Sequence, residues 1–248
     1  MGEEKLSSLS KGLQVLRKFV FDKEDWGVRE LARELGLPKS AAERVLQNLA
    51  KDGFLEVRPQ DRRYVIGPEL WRLGVALRGR KNFPALAMSI LRRHAEAVNE
   101  TMVFFTYGGG GVIFEDVAEC DHPLRFSLKL GVPYSLHQGP AGKAILAALP
   151  AGERERVYES LANDPGVDVR TLRAVVEQAR VEGYASARGE RVQGVIGFAA
   201  PVLGPEGGLR GGVGLYLPEA RYRAENRQRY VDTVKACADD VRSVAAPL

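Results

Sequence analysis

With 248 residues, 45% of them hydrophobic and 27% charged, the chain has the make-up of a globular protein long enough for one large domain or two ordinary ones. It has no run of about 18 apolar residues, so no membrane partner is expected, and its polar start (Met1-Gly2-Glu3-Glu4-Lys5) lacks the apolar centre of a signal peptide, which points to the cytoplasm. The net charge of +4 is uneven: residues 1–80 hold 16 Lys and Arg against 12 Asp and Glu, while residues 81–248 hold 20 of each, so the whole excess lies in the first third, as in a segment that meets a polyanion.

Leu9, Leu13, Leu16 and Val20 recur at spacings of four, three and four, which predicts a first amphipathic helix. Residues 22–27 are polar and contain a glycine, so a break is expected there. Val28, Leu31, Ala32 and Leu35 predict a second, short helix stopped by Gly36. Pro38 suits the first turn of a third helix, with Ala42, Val45, Leu46 and Leu49 on one face and an end near Gly53. Residues 54–58 and 62–66, joined by Pro59-Gln60-Asp61, predict a hairpin. A linker helix is expected from Pro68 to about Arg80, with Leu70, Leu73 and Leu77 as a plausible dimer seam, and Asn82-Phe83-Pro84 marks a boundary.

Beyond the boundary a helix is expected over 85–100 and strands over 101–107 and 112–118, with Gly108–Gly111 as the turn between them. Further strands are expected over 125–130, 184–190, 195–203 and 209–217, and helices over 139–149, 154–161, 171–182 and 222–244. The irregular mixture predicts an α+β fold class: a winged helix-turn-helix over 1–67, a linker helix over 68–82 and a second α/β domain over 83–248.

The third helix carries the functional argument. At about 100° per residue its apolar positions share one face, and Ser40, Arg44, Gln47 and Lys51 fall opposite. A recognition helix needs an apolar back packed on its neighbours and a polar front in the major groove. Arg pairs with two acceptors of guanine, and Gln with adenine. Lys39 and Ser40 stand at the helix start, where backbone amides and a lysine hold phosphate. Arg58, Arg62 and Arg63 make the hairpin a basic wing, suited to backbone or minor-groove contact. The expected partner is double-stranded operator DNA.

The stretch from Leu31 to Ser40, Leu-Ala-Arg-Glu-Leu-Gly-Leu-Pro-Lys-Ser, followed by Arg44, resembles the helix-turn-helix of the IclR family of bacterial regulators. So do Leu49-Ala50-Lys51-Asp52-Gly53-Phe54-Leu55, Tyr64-Val65-Ile66-Gly67 and Leu73-Gly74. Further along, His137-Gln138-Gly139-Pro140-Ala141-Gly142-Lys143-Ala144, then Gly183-Tyr184-Ala185, Gly189-Glu190, Gly194-Val195 and Ala199-Ala200-Pro201-Val202, match the family in order. The resemblance implies a GAF-like C-terminal domain, an antiparallel sheet flanked by helices, that binds a small-molecule effector. By motif position the pocket would involve Pro140, Ala141, Glu190, Gly197, Gly214 and Tyr216. Gly197 stands where many members have cysteine, and Gly214 and Tyr216 where acid-binding members have serines. Fewer hydroxyls mean fewer partners for a carboxylate, so the expected effector is aromatic or weakly polar. The resemblance also implies homodimers, with tetramers as a further step, which fits the need of a single helix-turn-helix for a second half-site.

Other signals fall short of a site. Gly142-Lys143-Ala144 lacks the first glycine and the Ser or Thr of a phosphate loop. Ser135 and His137 have no evident third group for a triad. Cys120 and Cys237 form no C-x-x-C pair, so neither a metal nor a cofactor is expected. The sequence reads as a transcriptional regulator and not an enzyme. The alternatives are a ligand-independent DNA-binding regulator and a metabolite-processing enzyme fused to a DNA-binding domain.

Overall fold

Ser7 opens the first helix, α1 (Ser8–Phe21): its hydroxyl accepts the Ser10 amide at 3.1 Å, which satisfies one of the donors a helix start leaves open. The computed structural model describes residues 7–79 and 83–244, with side chains at all of these except 77–79 and 83–85. The chain divides into two units, Met1–Arg80 and Lys81–Leu248.

In the first unit α1 is followed by β1 (Asp25–Trp26), α2 (Val28–Glu34) and α3 (Lys39–Lys51). The turn between α2 and α3 needs Gly36 at φ 61°, a left-handed conformation that costs a side chain but not glycine. Pro38, expected inside the first turn of α3, is the residue just before it. β2 (Leu55–Val57) and β3 (Tyr64–Ile66) pair antiparallel, and β1 adds to the far edge of β3. Residues 22–27, expected as a break, therefore contain a strand. Trp26 is drawn in because its indole completes a core with Val15, Phe19, Leu31, Leu46, Leu55 and Tyr64, and its Nε1 donates to the Lys18 carbonyl at 3.3 Å. α4 (Pro68–Gly79) follows, with Trp71, Leu73 and Val75 exposed. The Leu77 side chain and residues Arg80 and Asn82 of the expected seam and boundary lie outside what is described.

The second unit begins with α5 (Phe83–Val98) and β4 (Thr101–Gly108), β5 (Gly111–Ala118) and β6 (Pro133–Tyr134). Then come α6 (Gly139–Ala148), α7 (Ala151–Leu161), α8 (Val169–Glu182), β7 (Ala185–Arg188), β8 (Val195–Leu203), β9 (Leu209–Pro218) and α9 (Arg227–Val244). The six strands form one antiparallel sheet in the order β6-β5-β4-β9-β8-β7. Side chains alternate between its faces. Met102, Phe104, Phe198, Val213 and Leu215 pack with α5 and α9, while Val103, Phe105, Ala199 and Tyr216 pack with α6 and α8. Both faces are covered, so the central strands are apolar throughout.

Two expected elements differ. Residues 125–130 are not a strand: Phe126 is buried and Leu128 half-buried, which mimics strand alternation, but the segment finds no ladder partner and is held from its sides instead. Arg125 Nε donates to Glu119 at 2.9 Å, and Arg221 Nη1 donates to the Leu124 carbonyl at 2.5 Å. The last helix starts at Arg227 and not at 222; Ala224–Asn226 form a 3-10 turn before it. Among the described residues no helix is long and apolar enough to cross a membrane.

Candidate functional site

α3 turns Ala42 and Leu46 into the core of the first unit and leaves Lys39, Ser40, Arg44, Gln47 and Lys51 exposed. None of these five side chains has a hydrogen-bond or ion-pair partner among the described residues. An unpaired row of donors on one helix face can take phosphate oxygens and base edges without first breaking anything.

The wing is different. Arg58 donates from Nη2 to Asp25 and to Asp61, each at 2.7 Å, and from Nε to Asp61 at 3.1 Å. Arg63 donates from Nε to Asp25 and from Nη2 to Glu30, each at 2.6 Å. Lys23 also pairs with Glu30. Arg58 and Arg63, expected as DNA contacts, have their guanidinium forks on carboxylates that lash the wing to β1 and α2. Their role in this geometry is to shape the wing, because a bidentate fork already filled has little left for a phosphate. Arg62 stands apart, exposed at the wing tip with φ 58°, a conformation that costs a non-glycine residue about 1 kcal/mol. Its amide donates to the Arg58 carbonyl at 2.9 Å, which holds the turn in this conformation and its charge at the tip.

The carboxylates of this network titrate low. Hydrogen bonds from Lys23 and then Arg63 hold Glu30 down at about 2, and those from Arg58 hold Asp61 at about 2. Both carboxyls bind protons more weakly in the folded unit than in the unfolded chain. Their stabilisation is complete above about pH 5 and is lost as pH falls towards about 2. Trp26 and Trp71 are the only tryptophans, so fluorescence melting reports this unit. The melting temperature is expected to fall across that window, and to fall less steeply in Arg63→Ala; parallel pH profiles for the two proteins would show that the network does not titrate. Solvent screening keeps the effect modest and reduces it in high salt.

In the second unit a small, partly open pocket, with a cavity volume of about 30 Å³, lies between the start of α6, the sheet and the loop from Gly189 to Gly194. Five of the six residues expected from motif position line it: Pro140, Ala141, Glu190, Gly197 and Tyr216. Gly214 lies beneath the Tyr216 ring and does not line it. Glu190 faces inward to its own chain: Oε2 accepts the Gly139 amide at 2.9 Å and Oε1 pairs with Lys143, whose side chain is 7% exposed. Residues with no periodic signal in the sequence complete the walls. Arg191 lays its guanidinium 4.4 Å over the Tyr134 ring and 5.1 Å over Phe114. Phe126 stacks on Tyr216 at 4.5 Å between centroids. Burial raises the Tyr216 phenol above its ordinary value, so the hydroxyl stays protonated at neutral pH. Ser135 Oγ and His137 Nδ1 lie 2.7 Å apart on the surface, where neither is oriented by a carboxylate.

Two family models match the chain: "IclR helix-turn-helix domain" over residues 8–59 and "Bacterial transcriptional regulator IclR C-terminal" over residues 79–243. The HTH-type transcriptional regulator BhcR of Paracoccus denitrificans is 29% identical over 223 residues, covering 88% of this chain and 80% of that protein. The transcriptional repressor IclR of Escherichia coli is 27% identical, covering 80% and 75%. Among solved structures, an IclR transcriptional regulator from Alicyclobacillus acidocaldarius superposes with a TM-score of 0.85 at 24% identity, over 98% of this chain and 100% of that one. A homologue from Microbacterium hydrocarbonoxydans, solved with 4-hydroxybenzoate, gives 0.79 at 23% identity over 96% and 98%.

Proposed function

Because the chain belongs to the IclR family of bacterial transcriptional regulators, whose members pair a helix-turn-helix DNA-binding domain with a C-terminal effector domain, we propose that it binds a pseudo-palindromic operator as a homodimer, and that an aromatic or weakly polar metabolite in the second unit changes that affinity. Family members are regulators and not enzymes. The observation that carries the DNA reading is the unpaired polar face of α3, beside a wing whose other arginines are neutralised by acids. Lys39 and Ser40 take phosphate, Arg44 and Gln47 read bases, and Lys51 and Arg62 hold the flanking backbone. Trp71 and Val75 of α4 (74% and 68% exposed) stand one turn apart on the same face and together support pairing through this helix, on a face beside the expected seam of Leu70, Leu73 and Leu77.

Fluorescence anisotropy with the protein's own upstream DNA, against a scrambled duplex, tests this. Specific binding at least about 10³-fold tighter than scrambled is expected at physiological salt. Arg44→Ala is expected to cost about 1–3 kcal/mol on the operator and little on scrambled DNA, whereas Arg62→Ala weakens both alike and flattens the salt dependence. Equal, weak binding to both duplexes removes the operator, and equal losses in both variants remove the division of labour.

A further inference from the structure

The pocket of the second unit is built around one of its own side chains. Tyr216 projects from β9 onto the face covered by α6; Thr101 of β4 is its ladder partner on one side, but Gly197, its partner on β8, and Gly214, two residues back, carry no side chain. A methyl group at Gly197 would lie 2.7 Å from the Tyr216 ring and 2.9 Å from Pro140 Cγ. One at Gly214 would lie 2.7 Å from the other edge of the ring. The two glycines form a bed one ring wide, and the ring lies in it, 4% exposed. Phe126 closes the open side, its plane within 13° of the tyrosine's. The hydroxyl lies beside the Ala141 amide at the start of α6, and the nearby Gly139 amide is taken by Glu190 at 2.9 Å. At this helix start the Gly139 amide is engaged by an oxygen of the chain itself, and the Tyr216 side chain covers the Ala141 amide from an outside oxygen.

We propose that Tyr216 is the specificity-determining residue of the effector pocket: its ring and hydroxyl fill the slot between the sheet and α6 that a phenol-sized ligand would occupy, so any ligand is confined to the outer half. There the walls are Phe114, Phe126, Val195 and the Arg191 guanidinium, which select a flat aromatic face. The proposal rests on the reading of the second unit as an effector domain, but the slot itself is a property of the packing. Gly197 and Gly214 are the mates of the tyrosine, since any larger residue at either would expel the ring.

Removing the ring leaves a slot shaped for it, and an apolar cavity of that kind takes up a small aromatic molecule. Calorimetric titration of phenol into the full chain and into Tyr216→Ala is the test, with Tyr216→Val as a second cavity variant that keeps a strand-forming residue should the alanine variant fail to fold. The cavity variants are expected to bind phenol at least about 10-fold tighter than the native protein, a difference of about 1.4 kcal/mol. Tyr216→Phe, which keeps the ring and removes only the hydroxyl, is expected to gain nothing. Native affinity equal to that of the cavity variants, or an equal gain in Tyr216→Phe, would overturn the proposal. Operator binding of the native protein, measured with and without candidate aromatic metabolites, tests the effector reading separately: its failure leaves the phenol result to decide the role of Tyr216.

Discussion

Glu190→Ala is expected to destabilise the second unit by about 2–4 kcal/mol, towards the lower part of the range for breaking a buried ion pair, because Glu190 itself is 34% exposed. Two losses combine. Lys143 sits on α6 with its ammonium enclosed, and without Glu190 it has no acidic partner to offset its desolvation. The Gly139 amide at the helix start also loses its acceptor. Glu190→Gln keeps an oxygen for that amide and should recover part of the loss. The double variant Lys143→Met with Glu190→Ala should recover more, because it removes the stranded charge altogether. Urea unfolding followed by far-UV circular dichroism measures all of these, with tryptophan fluorescence isolating the first unit as an internal control. A double variant no more stable than Glu190→Ala would show that the buried charge is not the source of the cost.

Gly142→Ala should be as damaging, at about 3 kcal/mol, for a steric reason. α6 lies so close to the preceding segment that a methyl group at Gly142 would run into the Leu136 carbonyl oxygen and lie 2.6 Å from its carbon. Backbone cannot rotate away as a side chain can, so the whole start of α6 must shift. That shift moves the Gly139 amide away from Glu190, and the pocket loosens with it. Gly152→Ala is the matched control: it also stands in a helix, α7, but its added methyl meets nothing within 4 Å. There alanine is expected to be neutral or to stabilise by up to about 1 kcal/mol through its better helix propensity. Similar melting temperatures for the two variants would refute close packing as the reason for the glycine at 142.

These two residues show how a motif can be visible while its meaning is not. Gly139 to Ala144 stands out in the sequence, and a phosphate loop is excluded by its missing first glycine. What Gly142 and Lys143 do instead depends on Leu136 and Glu190, which approach them only when the sheet and the 189–194 loop are in place. The wing poses the same problem. Arg58, Arg62 and Arg63 are alike as residues, and a count of charges treats them as one basic patch. Asp61 is near Arg58 in sequence, but Asp25, 33 positions from Arg58 and 38 from Arg63, and Glu30, 33 from Arg63, complete the pairing of two of the three. No local pattern carries that information.

The sequence by itself determined the helix-turn-helix. Its helices announce themselves through spacings of three and four, its turn through Gly36, and its polar face through residues that need no partner in the chain. It also determined most of the helices and strands of the second unit, though not the short β6, and, through motif position, five of the residues that line the pocket. Tertiary structure decided the rest. Trp26 became a strand residue because a core needed its indole, and residues 125–130 stayed outside the ladder, with Phe126 turned in to stack on Tyr216. Tyr216 became the occupant of its own pocket because β8 and β9 set it between two glycines 19 and 2 residues away. Local periodicity reports which side of an element is apolar, but only the packed sheet specifies what that side touches.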